Sequence, residues 1–297
     1  MTSAEHARDT LRRSINRLED QIAVTLQDQG EDPVHDLRVS IRRVSQALRA
    51  FAPLLPGAPP GKPARNPARK MRRVLKPVLD AAAVARDHDV CSELLIKSGL
   101  LPDHPLLVRM KAERDLAAWA LLGQLYLMRS TGAPASWYPR VAAIAGPEDD
   151  AALHARQELP PLATDFFEAG RKVALQPGSA RRLHAFRLSA KRFRYTLELF
   201  RRFYGPVFQQ RLERVREIQS LLGKRQDCAV AEERLKPLVD TDPAAASVLA
   251  AIEVRAQKLE SDFREYWRET FDAEGQSVLW LRYLARRAPA RSAGRMS

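Results

Sequence analysis

Residues 34–51, VHDLRVSIRRVSQALRAF, return 149 positions further on as LHAFRLSAKRFRYTLELF at 183–200. Without a gap, His35 falls on His184, Arg38 on Arg187, Ser40 on Ser189, Arg43 on Arg192, Leu48 on Leu197 and Phe51 on Phe200. Wound at about 3.6 residues per turn, each copy has two faces. In the first, His35, Arg38, Arg42 and Arg49 share an arc, with Leu37, Val44, Leu48 and Phe51 opposite. In the second, His184, Arg187, Lys191 and Arg194 share an arc that Arg202 rejoins two turns later, and Phe186, Phe193, Leu197 and Phe200 lie opposite. The spacing predicts the same amphipathic helix twice, with a core face and a basic face.

The echo continues into the next helix. Arg73 matches Arg211, Val74 matches Leu212, Lys76 matches Arg214, and ARDHD (85–89) matches GKRQD (223–227). The offset is now 138, because the first copy has a longer Pro/Gly loop, LLPGAPPGKPARNP (54–67), between its two helices. Insertion at a loop is what a duplicated helical hairpin tolerates. On this second helix of the first copy, Arg65, Arg69, Arg72, Arg73 and Lys76 form a stripe of their own. Two similar halves follow, about 1–145 and 146–290, in one domain of paired helical bundles related by pseudo-twofold symmetry.

Elsewhere apolar residues also recur at helical spacing, and no alternating strand pattern appears, so the fold class is all-α. Helices are predicted over roughly 4–29, 33–54, 66–98, 104–130, 150–174, 178–204, 206–239, 244–273 and 277–287. Pro/Gly clusters such as STGAPASWYP (130–139) and LQPGS (175–179) separate them. Pro77 and Pro237 are expected to kink or split their helices. The tail from about 288 to 297 has no periodicity and is expected to be disordered.

The chain has 297 residues, a net charge of +13 and a pI near 10.2, which points to an anionic partner. The charge is concentrated. Residues 35–76 and residues 180–225 each carry a net +10, so the remaining chain carries −7. A solvated helix face ordinarily interleaves Glu with Lys, because like charges at i,i+4 destabilise by about 0.2–0.5 kcal/mol. Like charges stacked in both copies imply a bound anion that compensates them. Arginine predominates, and its planar fork matches phosphate oxygens. His35, placed just after Asp32-Pro33, is expected at a helix N-terminus where free amides also favour an anion. A structural cap is the competing reading of both histidines.

Two cysteines, Cys91 and Cys228, make no disulfide framework and are read as buried thiols in a reducing compartment. No signal peptide and no apolar run of about 20 residues is visible, so a cytoplasmic protein without membrane insertion is expected. The dipeptides His35-Asp36 and His88-Asp89 invite a metal-phosphohydrolase reading, which the surrounding arginines oppose. No metal and no cofactor is called for. Asp89 and Asp227 occupy matched places and read as caps or partners of the arginine stripes. Gly223-Lys224 lacks the rest of a phosphate loop. Tyr195, Phe203, Tyr204 and Trp267 read as core or interface residues.

HDLRVSIRR, HAFRLSAKRFRY, ARDHDV and LLGKRQDCAV resemble the repeated motifs of the conserved histidine α-helical domain, the CHAD domain. The resemblance spans almost the whole chain. It implies two helical-bundle halves about a basic central groove or channel, binding of inorganic polyphosphate, and location at polyphosphate granules. His35, Arg38, Arg42 and Arg43 match the first motif; His184, Arg187, Lys191, Arg192, Arg194 and Tyr195 match the second. With the charged stripes, the candidate set also takes in Arg49, Arg69, Arg72, Arg73, Lys76, Arg202, Arg211, Arg214, Lys224 and Arg225. Ser45 and Gln46 stand where the second copy has Arg194 and Tyr195, so unequal halves are expected, the second contributing more. The Glu-x-Glu-x-Lys strand of the triphosphate tunnel domain that accompanies some members is absent from this sequence, so that catalysis is not implied. The protein reads as a non-enzyme, compatible with a homo-oligomer. The rival reading is sequence-nonspecific RNA or DNA backbone binding, against which stands the scarcity of aromatics among the charges. A helical scaffold for an acidic protein is a third.

Overall fold

The computed structural model describes residues 1–57, 66–146, 150–175 and 180–286. Expectations for Arg65 and the tail 288–297 lie outside these residues. The described residues hold α-helices, short 3-10 turns and one isolated bridge between Thr2 and Asp150, with no strand. The helices are α1 (Ser3–Gln27), α2 (Glu31–Ala50), α3 (Pro67–Lys97), α4 (Pro105–Ser130), α5 (Tyr138–Ala142), α6 (Ala151–Leu175), α7 (Ala180–Phe200), α8 (Val207–Leu235), α9 (Pro243–Thr270) and α10 (Gln276–Ala285). The all-α reading holds, and the long helices start and stop within a few residues of the expected places.

Local chemistry explains several of those ends. Three helices begin with a capping side chain followed by proline at the first helical position: Asn66-Pro67, His104-Pro105 and Asp242-Pro243. Asn66 accepts from the Ala68 amide at 2.8 Å, and Asp242 accepts from Ala244 and Ala245 at 3.0 and 3.1 Å. The starts Pro105 and Pro243 are also related by the 138-residue offset, and their caps meet: His104 Nε2 lies 2.7 Å from Asp242 Oδ2. Pro237 ends α8 as expected, its residue lying in the 3-10 turn Lys236–Leu238. Pro77, by contrast, is carried inside α3 without splitting it. α5 was not expected, because Pro134 and Pro139 in that stretch read as punctuation; Pro139 instead serves as an early helical residue.

Contacts gather the chain into two compact units. One takes residues 4–146 and 220–263; the other takes the described residues within 1–3, 147–219 and 264–297. The division therefore falls inside α8 and α9 and cuts across the two sequence halves.

The two cores differ in composition. In the first unit they are aliphatic: Leu11, Ile15, Leu18, Ile41, Val44, Leu75, Leu95, Leu121 and Leu125 are buried. In the second unit aromatic rings dominate. Phe166 stacks on Phe193 at 4.8 Å, Trp267 on Phe271 at 4.9 Å, and Trp280 and Phe186 complete the cluster. Gly170 is required there: a Cβ at this position would lie 2.0 Å from the Trp267 ring.

α2 and α7 realise the predicted two faces in parallel. Leu37 and Phe186, Ile41 and Ala190, Val44 and Phe193, Leu48 and Leu197, Phe51 and Phe200 are buried in both copies. Each helix then gives way to a 3-10 turn at matched positions, Ala52–Leu54 and Arg201–Phe203.

Candidate anion-binding site

The first unit supplies α2 and α3, which pack together and are tied by the Arg86–Glu31 ion pair. On α2, His35, Arg43 and Arg49 are exposed, and Arg38 and Arg42 half-buried. On α3, Arg69, Arg73 and Lys76 are exposed and Arg72 half-buried. Lys76 pairs with Asp80 one turn on. Arg42, Arg43, Arg69, Arg72 and Arg73 make no ion pair or hydrogen bond with any described residue. The Arg72 guanidinium is held below its ordinary pKa by burial and by neighbouring Arg69. Positive charge here is thus left without a protein counter-ion among the described residues.

His35 is the fifth residue of its helix. α2 opens at Glu31 after Gly30, with no side-chain cap, and Glu31 and Asp32 occupy the first turn. His35 therefore stands in the second turn, behind two carboxylates, and not at the helix start where free amides were expected to favour an anion beside it. Nor does His35 cap: it makes no hydrogen bond to a described residue. The capping histidine is His104.

Arg43 points away from the arc of Arg38 and Arg42 and lines a pocket of about 230 Å³ with Thr10, Arg13, Ser14, Arg17 and Ser40. Arg13 and Arg17 escaped sequence reasoning, since neither lies in the repeated segments. The one available signal was their own like-charge i,i+4 spacing on α1.

Asp89 does not serve the arginine stripes. It accepts from Arg114 Nε at 2.9 Å, and Arg114 also donates to the Gln29 carbonyl, which fixes α3 and α4 to the end of α1. Asp227 lines a small pocket with Lys224 and Arg255. Lys224 is exposed, whereas Arg225 is drawn in by Glu260 at 2.8 Å and Glu232 at 3.4 Å.

In the second unit, His184, Arg192, Arg202 and Arg214 are exposed, and Arg187 and Lys191 half-buried. Arg194 behaves otherwise. Its Nε donates to Gln219 at 2.6 Å and its Nη1 to Glu198 at 2.8 Å, while Gln219 donates to the Ala190 carbonyl at 2.6 Å. Tyr195 is only 8% exposed, and the Arg194 guanidinium lies 4.4 Å above its ring. Arg194 thus ties α7 to α8 through Gln219, because a carboxylate one turn on and a facing amide satisfy the guanidinium. Arg211 is also withdrawn: it sits 4.8 Å from the Trp280 ring and 4.6 Å from Tyr283, with its pKa lowered by burial. Arg194, Tyr195, Arg211 and Arg225 therefore stand apart from the exposed cations.

Cys91 and Cys228 are buried free thiols, and burial pushes Cys91 up to about 11. His88 is buried, 3.8 Å from Glu113, and far from a ligand geometry. Among the described residues no three His, Cys, Asp or Glu side chains converge as a metal site, and no helix is long and apolar enough to cross a membrane.

Comparison with known proteins adds to this geometry. A family model described as the CHAD domain matches residues 9–236. Among solved structures, the CHAD domain from the plant Ricinus communis superposes with a TM-score of 0.61 at 24% identity, covering 97% of this chain and 93% of that one. PptA from Streptomyces chartreusis superposes with a TM-score of 0.63 at 19% identity, covering 90% of this chain and all of the other (100%). No curated protein matches.

Proposed function

Because the chain belongs to the CHAD domain family, we propose that it binds inorganic polyphosphate without turning it over, at the cationic faces of α2 with α3 and of α7. One observation carries this reading: five arginines on α2 and α3 have no counter-ion among the described residues. Guanidiniums that repel each other, as Arg69 and Arg72 do, are stabilised by a ligand whose charges repeat at short intervals. Polyphosphate has one charge on each phosphate and no base to recognise. Aromatic platforms for bases are scarce on these helices: α2 and α3 carry no Phe, Tyr or Trp, and those of α7, Phe186, Phe193, Tyr195 and Phe200, are buried. His35 and His184, exposed at matched positions, act as further hydrogen-bond donors to phosphate oxygens. Such a protein would gather at polyphosphate granules.

Competition tests it. Labelled long-chain polyphosphate is bound first, and duplex DNA, single-stranded RNA and short phosphates are then titrated in equal phosphate units. Polyphosphate should stay bound and release with rising salt. Displacement by RNA or DNA at equal or lower phosphate concentration would transfer the site to nucleic acid. Release of orthophosphate during the incubation would make the protein an enzyme.

A further inference from the structure

Helix α4 is apolar on two sides. One side, with Met110, Ala117, Leu121, Leu125 and Met128, is buried in the core of its unit. The other is open: Trp119 is 72% exposed, Leu116 70%, Leu127 62%, Tyr126 60% and Val108 58%. With Ala112, Ala120 and Gly123, which are also exposed, these residues fall within about 120° of the helix circumference. We infer that this stripe is a docking surface for a second copy of the chain.

Three observations point to that occupant. The first is the spacing. Ala112, Leu116, Trp119, Gly123 and Tyr126 follow one another by four, three, four and three residues, the repeat by which two helices keep a common seam. No charged residue interrupts that series.

The second is Gly123. It lies inside a helix, where glycine weakens the structure, and a Cβ there would meet nothing within 4 Å of its own chain. Nothing within the protomer requires it. A flat spot at the middle of an apolar seam allows another helix to come close.

The third is an internal control. The 138-residue offset that relates Pro105 to Pro243 carries the stripe of α4 onto α9. There Leu116 becomes Val254, Trp119 becomes Gln257, Ala120 becomes Lys258, Gly123 becomes Ser261 and Leu127 becomes Glu265, all exposed. The fold thus accepts a polar surface at this place in α9. The apolar one on α4 answers to something outside the protomer.

Size agrees. A fully covered aromatic side chain buries roughly 150–250 Å², so the five large residues at their exposures offer on the order of 600 Å² per copy. Two copies together reach about 1,200 Å², the lower bound of a specific protein–protein interface. A membrane-surface helix would instead back its apolar stripe with a Lys/Arg-rich face, and the back of α4 is buried against its own unit.

The test is the mass of the purified full chain by sedimentation equilibrium, in buffer freed of polyphosphate so that no polyanion bridges two molecules. The expected mass is twice the 33.5 kDa of the chain at micromolar concentrations. Leu116→Glu with Trp119→Glu should lower it to a single chain while the helical circular dichroism is kept. Gly123→Lys, a better helix former, should do the same, and serves if the double variant fails to fold. Val254→Glu with Gln257→Glu on α9 should leave the dimer intact. A monomeric parent up to about 100 µM, or a dimer that survives the α4 variants, overturns the proposal. So does a monomeric parent that floats with phosphatidylcholine–phosphatidylglycerol vesicles, since the stripe then belongs to a lipid surface. The measurement contains no polyphosphate, so its failure and that of the polyphosphate reading are separate results.

Discussion

At residue 49 of α2 stands an arginine; at the matched place in α7 stands Glu198. Around these two positions helices with the same core face diverge. In α7 the carboxylate gathers Arg194 at 2.8 Å and Arg216 at 3.2 Å, and the cations become part of the framework. In the first copy Ser45 stands for Arg194 on α2 and Val78 for Arg216 on α3, neither bringing a guanidinium, and Arg42 and Arg43 keep no protein partner among the described residues. Burial constrains one side of an amphipathic helix tightly, because volume changes in a packed core are costly. The polar side is held far more loosely. One change of sign there turns an exposed charge into the anchor of an internal strut, so the count of basic residues overstates the exposed positive charge of the second copy.

The strongest way to break this contrast is to discharge the first copy. Arg42→Gln, Arg43→Gln, Arg69→Gln and Arg73→Gln together should weaken long-chain polyphosphate binding about a hundredfold at low salt, taking about 0.7 kcal/mol for each exposed charge contact. The melting temperature should hold or rise as repulsion is relieved. Titration calorimetry against salt would also show a shallower slope. Unchanged affinity would move the binding face elsewhere.

Next in size is the strut. Arg194→Ala should lower stability by about 2 kcal/mol, since it removes two charge-assisted hydrogen bonds, leaving Gln219 Oε1 without its donor and Glu198 with Arg216 alone. Polyphosphate affinity should change less than about threefold. A large affinity loss with normal stability, read by denaturant titration beside calorimetry, would restore Arg194 to the ligand face.

Exchanging the divergent charge sharpens the comparison. Arg49→Glu should reduce affinity about tenfold, equivalent to about 1.4 kcal/mol. Glu198→Arg should leave affinity equal or higher while lowering the melting temperature. If both substitutions alter binding alike, the two helices are equivalent after all.

The smallest effect concerns His88, whose place on α8 is taken by Gln226. Burial, and then Arg234, hold the His88 imidazole below its ordinary pKa. The unfolded chain therefore takes up a proton before the folded one does. Stability is full above the unfolded pKa near 6.5 and is lost as pH falls from there through the folded value. His88→Gln should flatten this part of the loss between pH 7 and 5 in thermal melts; an unaltered slope would assign the acid sensitivity to other groups.

The helical order was legible because apolar periodicity is a local property: Val44, Leu48 and Phe51 announce the buried face of α2 without reference to anything distant. The basic face was legible for the same reason. What escaped the sequence is what long-range partners decide. Glu198 was visible as one acid in a basic run, but that it would be joined by Gln219 in withdrawing Arg194 depends on how α7 meets α8. The pairing of Asp89 with Arg114 rather than with the stripes, and the gathering of Arg13, Arg17 and Arg43 about one pocket, depend likewise on packing across helices. Proline misled in both directions, since its effect depends on whether the helix has already begun.

The unit built from residues 4–146 and 220–263 is discontinuous in the chain, and synthesis makes that a matter of time. When residue 146 leaves the ribosome, α4 has its start, but His104 has no Asp242 to meet and the core places of Val248, Ile252 and Ala256 are vacant. The stretch up to residue 263 must still be made. At about 5–20 residues per second that takes on the order of ten seconds. For that interval the nascent helices hold an open apolar core, and it is then that the chain is most exposed to aggregation.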